Sequence, residues 1–266
     1  ALWLILAWTM FQGLGRDKFT FGNEFFLQCI LFTVVIIEAV LLNRAFKFQT
    51  EEESSLSLFS LYSARWQEIL IAVAVAIALT FPLNEIDNLL QAWYPPGELE
   101  NQVMMARYFP SNSIEKIFVM LNLVAVAPIG EELLFRGVMM TWLRRRGRWW
   151  VALLVTTFLF AASHFSLPRT IFPIVFVGLV LGWLVLRTGS IFPAIAAHAA
   201  FNGFPLMSYW SGLKIGGYND ISEENARVSP ALWIAGIAAT AICLYALEQF
   251  TKKRQKEEEE KEEKND

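Results

Sequence analysis

An apolar run from about Phe118 to Leu143 carries two carboxylates and a guanidinium in its middle, at Glu131, Glu132 and Arg136. At about 1.5 Å per residue, a helix over this run crosses the roughly 30 Å of hydrocarbon in a bilayer, so the charges fall near the midplane. An ionisable side chain at that depth costs at least about 2.5 kcal/mol, and by default it pairs with another or carries function. In a helix Glu132 and Arg136 stand four apart with the acid first, the favoured order for a charged pair on one face. Glu131 is rotated away from that pair and has no cation in its own run, so its carboxylate is the candidate for general-base work. Taken alone, the three residues read equally well as a structural polar cluster.

The rest of the chain has the composition of a polytopic membrane protein. Apolar residues make up 55% of the 266 positions, well above a soluble domain. The net charge of -3 is spread over an acidic patch at Glu51 to Glu53 and the tail, and there is no basic surface of the kind that binds nucleic acid. Cys29 and Cys243 lie far apart inside apolar runs and read as small buried hydrophobes. The expected fold is all-α, a transmembrane bundle of about eight spans occupying residues 1–250, with a charged, disordered tail over 251–266. The first apolar stretch, 1–14, is short for a span and reads as a helix whose beginning lies upstream, without the basic region or cleavage site of a signal peptide. The second, 21–42, carries Glu24 near one end and Glu38 deep within it with no evident partner. A polar connection over 43–67 follows. The third span, 68–83, is expected to end at Pro82, with an interfacial helix and loop over 84–112 where Trp93 and Tyr94 sit at headgroup level.

Ser113 gives a weak start signal for the central helix. Beyond it, spans are expected over 149–165, 171–186, 190–209 and 230–250, the penultimate one interrupted by Pro193, Gly203 and Pro205. Alternation puts the Arg144 to Arg148 loop, Arg187 and the tail on one side. That side holds most of the lysines and arginines and, with the C-terminus, is expected to face the cytoplasm.

The chain has two histidines, His164 and His198, and both lie inside apolar spans. His198 and Asn202 are four apart and share a helix face, the spacing for two donors to converge on one oxygen. Each histidine alone reads as a hydrogen-bonding helix contact. Together with Glu131, Glu132 and Arg136 they point to one polar site built from three spans. In that site Glu131, assisted by His164, takes a proton from water while His198 and Asn202 hold the oxyanion of a carbonyl under attack. Glu132 and Arg136 fix the orientation of Glu131. The chain has no His-Glu-x-x-His run and no Gly-x-Ser-x-Gly elbow. No cofactor is expected, with zinc held by Glu131, His164 and His198 as the alternative. Other readings of midplane charges are a transporter path and a non-catalytic immunity protein.

The three runs Glu131-Glu132-x-x-x-Arg136, Phe160-x-x-x-His164 and His198-x-x-x-Asn202, in that order over about 118–209, resemble the motif set of the CPBP family. That family comprises the type II CAAX prenyl endopeptidases and their bacterial relatives, the abortive-infection proteins. The resemblance implies an intramembrane endopeptidase with Glu131 as water-activating glutamate, His164 as its partner, His198 with Asn202 as oxyanion site, and Glu132 and Arg136 in support. Phe160 is a motif position beside them. The family has been described both as metalloproteases and as glutamate proteases. The implied substrate is a membrane protein or peptide at the bilayer, with a lipidated CAAX-type protein among the candidates.

Overall fold

The computed structural model describes residues 28–30, 32–34, 37, 60–98, 101, 104, 105, 108–164, 168–220 and 227–264. The expected stretch 1–14, nearly all of the expected span 21–42 with Glu24 and Glu38, and most of the 43–67 connection lie outside these residues. Six long helices account for most of the described residues: α1 Trp66–Gln91, α2 Ser113–Arg146, α3 Trp149–Ser163, α4 Pro168–Thr188, α5 Phe192–Trp210 and α6 Pro230–Glu262. No named strand occurs among the described residues, where pairing is limited to one isolated bridge, Gly216 to Asp220.

Four helices are long and apolar enough to cross a membrane: Trp66–Gln91, Ser113–Arg146, Ile171–Thr188 and Pro230–Lys261. Helix α3 is apolar but has only 15 residues. The chain is an integral membrane protein, all-helical over the described residues, and four such helices lie among those residues.

Contacts at the helix ends show that successive helices alternate in direction. At one end Arg254 on α6 donates to Glu68 in the first turn of α1 (2.7 Å) and to the Thr188 carbonyl at the end of α4 (2.8 Å). Arg65 pairs with Glu257 (3.2 Å), and Ser60 is hydrogen-bonded to Thr141 near the end of α2 (3.0 Å). At the opposite end Asn84 and Asn88 of α1 both donate to the Gly217 carbonyl, and Glu85 holds Arg227 and the Val228 amide ahead of α6. Between the ends the core is built on small residues that let helices approach, Ala72 and Ala76 on α1, Ala152 on α3, Ala194 and Ala197 on α5, against Leu181 and Leu184 on α4.

Several boundaries differ from expectation for identifiable reasons. Pro82 does not stop α1, which runs on to Gln91 through the stretch expected as an interfacial helix. Its missing N–H leaves the Ala78 carbonyl free, and α6 packs there through Gly236, where a Cβ would fall 2.5 Å from that carbonyl. Helix α2 is capped by Asn112, whose Oδ1 accepts from the Glu115 amide (3.0 Å), while Glu115 accepts from the Ser111 amide (2.8 Å). The start signal is therefore stronger than Ser113 alone suggests. Helix α5 is continuous: Pro193 falls in its first turn, where no N–H is needed, and Pro205 lies inside it. Helix α6 continues through Lys252 and Glu257 to Glu262, where the sequence suggests disorder. It is held there by Arg254 and by Lys252–Glu248 and Lys253–Glu257 pairs at i,i+4.

Candidate active site

Helix α2 is not a uniform α-helix. Wide π turns occupy Asn122–Val126 and Leu133–Met140, on either side of Ala127–Glu132. Such turns recur at functional sites because they re-aim side chains in mid-helix. Here the segment between them carries Glu131 and Glu132, and both are buried.

Glu132 and Arg136 form the expected pair. Arg136 Nη1 donates to Glu132 Oε1 at 2.7 Å, with both side chains essentially inaccessible. The other arm of the guanidinium, Nη2, donates to the Gly178 carbonyl on α4 at 3.1 Å, and its plane lies over the Phe160 ring at 4.4 Å. The sequence reading did not single out Gly178. The available signal was its spacing with Gly182, a small-x-x-x-small face that lets another helix come close. A Cβ at 178 would stand 3.1 Å from Thr157 Cγ2 and 3.2 Å from Phe160 Cδ1. Gly178→Val is expected to lower stability by about 1–3 kcal/mol through overpacking. Chemical unfolding in detergent checks this, and an unchanged midpoint would mean that α4 tolerates the displacement.

Glu132 Oε1 also accepts from His198 Nδ1 at 2.9 Å. Because Glu132 is paired with Arg136 and acts as an acceptor, Nδ1 carries the hydrogen and Nε2 points onward. His164 is anchored in the same manner: its Nδ1 lies 2.8 Å from the Phe160 carbonyl, which can only accept. Both Nε2 atoms face one oxygen. Glu131 Oε2 lies 3.7 Å from His198 Nε2 and 3.9 Å from His164 Nε2. That oxygen is buried and has no hydrogen-bond partner, as does Glu132 Oε2. The Phe160 ring braces the group, with the His164 ring at 4.7 Å, the His198 ring at 5.8 Å and Phe135 edge-on at 5.4 Å.

The structure thus gathers Glu131, His164, His198, Glu132, Arg136 and Phe160 from α2, α3 and α5. Asn202 is on the same helix as His198, but its Nδ2 donates to the Leu123 carbonyl on α2 at 2.8 Å. Asn122, which the sequence reading passed over, is also buried with an unpartnered Oδ1. The residue types around Glu131 are those that zinc takes, carboxylate oxygen and imidazole nitrogen. No group of three His, Cys, Asp or Glu placed to hold a metal is found among the described residues.

Residues 113–204 match the family model described as Type II CAAX prenyl endopeptidase Rce1-like. The matched stretch contains every residue of the cluster. A protein of Escherichia coli described as an uncharacterized 24.3 kDa protein is 31% identical over 105 residues, covering 38% of this chain. The chain spans about half the length of that curated relative, 48%. No solved structure matches.

Proposed function

We propose that the chain is an intramembrane endopeptidase that hydrolyses a peptide bond in a membrane-associated protein or peptide, with Glu131 as the base that activates water. The observation that carries this reading is the buried, unpartnered Glu131 Oε2, faced by two imidazole Nε2 atoms whose Nδ1 atoms are already anchored. A water bound to that oxygen lies within reach of both rings. Glu131 takes its proton as the oxygen attacks the carbonyl, and returns it to the leaving amine.

Geometry supports a role for His198 at the oxyanion: with Nδ1 held by Glu132, the ring turns Nε2 to the water site beside Glu131, where a hydrogen on Nε2 is donated to the oxyanion. His198→Ala is expected to lower kcat by about 100-fold or more with a smaller change in KM. A change confined to KM would remove His198 from the transition state.

The family match supports a protease of the CAAX-processing kind, so prenylated proteins are among the substrates to test. We read α3 and α5 as crossing the membrane with the other four helices, two further spans in 1–42, and the end rich in arginine as cytoplasmic, together with the C-terminus.

The test compares membrane proteomes of cells making the wild-type protein or Glu131→Gln, followed by cleavage of the accumulated candidates by purified protein with and without chelator. Substrates that accumulate in the variant and are cut by the wild type in chelator support the reading. Cleavage abolished by chelator and restored by zinc favours a metal-dependent form of the same hydrolysis. No accumulating substrate, with loss of solute flux in the variant, favours a transporter.

A further inference from the structure

Pro128 sits inside α2, three residues before Glu131, and has no N–H to donate. In the π turn ahead of it the Ala127 N–H goes back five residues to the Asn122 carbonyl. The Leu123 carbonyl therefore lacks both ordinary donors, Ala127 at i+4 and Pro128 at i+5. A bare carbonyl in a membrane interior is a costly group unless a neighbouring helix satisfies it. Asn202 Nδ2 does so from α5 at 2.8 Å. The next residue of each helix fits the same contact, since a Cβ at Gly203 would stand 3.1 Å from Val124 Cγ2. Asn202 and Gly203 thus form a seat on α5 for the wide turn of α2. Four residues earlier on α5, His198 binds Glu132. The two helices are pinned at both points, and Glu131 lies in the chain between them.

We propose that Asn202 is a positioning residue: its amide takes the carbonyl that Pro128 leaves free, fixes the wide turn of α2 on α5, and so sets Glu131 Oε2 against His198 Nε2. This rests on the endopeptidase reading for its effect on turnover, but not for its effect on the helix contact. It also differs from the expectation that Asn202 acts on the oxyanion. A residue that binds the oxyanion acts on the substrate whatever α2 contains at position 128. A residue that satisfies a proline-orphaned carbonyl matters less once the proline is gone.

The experiment is a double-mutant cycle of Asn202→Ala and Pro128→Ala in the full chain in detergent, read by thermal midpoint and by kcat and KM. Alanine at 128 restores an N–H inside α2. Asn202→Ala alone is expected to lower both the midpoint and kcat, with KM nearly unchanged, and to displace the pH profile of kcat/KM because Glu131 has moved relative to His198. In the Pro128→Ala background, Asn202→Ala is expected to change the midpoint by less than half as much, and kcat by less than about threefold. Equal losses in both backgrounds, with the pH profile lowered but not displaced, overturn the proposal and return Asn202 to the oxyanion. If Pro128→Ala is too slow to assay, coupling of the midpoints decides alone. If the wild type cleaves nothing, the endopeptidase reading has failed, while the midpoints still test this contact.

Discussion

Glu131→Gln is expected to lower turnover by about three to four orders of magnitude while leaving the protein folded, because the amide cannot accept the proton of the attacking water. The substitution conserves shape, and Glu131 Oε2 makes no hydrogen bond within the protein that the change would break. The second carboxylate gives the internal control. Glu132 Oε1 is held by Arg136 at 2.7 Å and by His198 at 2.9 Å. Glu132→Gln should therefore lower the thermal midpoint as well as the rate, whereas Glu131→Gln should lower the rate alone. Paired measurements of midpoint and kcat on purified protein check this. If Glu131→Gln keeps near-wild-type turnover, Glu131 is not the base. If both variants lose stability equally, the two carboxylates are one structural cluster.

Arg136→Ala is expected to destabilise the fold by about 3–5 kcal/mol, the range for removing one partner of a buried ion pair. The side chain is 1% exposed and does three things at once. It neutralises Glu132, it satisfies the Gly178 carbonyl on α4, and it lies on the Phe160 ring. Arg136→Lys keeps the charge but loses the fork that reaches Glu132 and Gly178 together, so it should recover only part of the loss. Arg136→Met combined with Glu132→Gln removes both charges and should be less damaging than the two single changes summed. Urea unfolding of the set in detergent gives the comparison. An Arg136→Ala protein as stable as wild type would mean that water reaches Glu132 and that the cluster is not dry.

The parts of this site that sequence made legible are the local ones. Glu132 and Arg136 meet because i and i+4 meet on a helix, and His198 and Asn202 share a face for the same reason. What lies between helices was less legible. Nothing near Arg136 in the chain announces the Gly178 carbonyl 42 residues on, except the two glycines that let α4 approach. The contact that Asn202 makes was not legible, because its acceptor, the backbone carbonyl of Leu123, has no letter in the sequence. It becomes visible only by asking which carbonyl Pro128 leaves without a donor.

Element boundaries followed the same division. Pro82 reads as a stop until Gly236 on α6 is seen packing at the exposed carbonyl. The tail reads as disordered until Arg254 is seen reaching back to Glu68. The eight expected spans were counted from apolar runs. Two of them fall largely outside the described residues, while α3 is short and α5 is not among the four helices that meet the length and apolarity for crossing.

The most direct test of the central claim is mass spectrometry of a membrane-anchored peptide incubated with purified wild-type protein, and in parallel with Glu131→Gln, in isotopically labelled water. The wild type is expected to cleave the peptide with label in the new carboxyl terminus, and the folded variant to leave it intact. Equal cleavage by both proteins would contradict that claim.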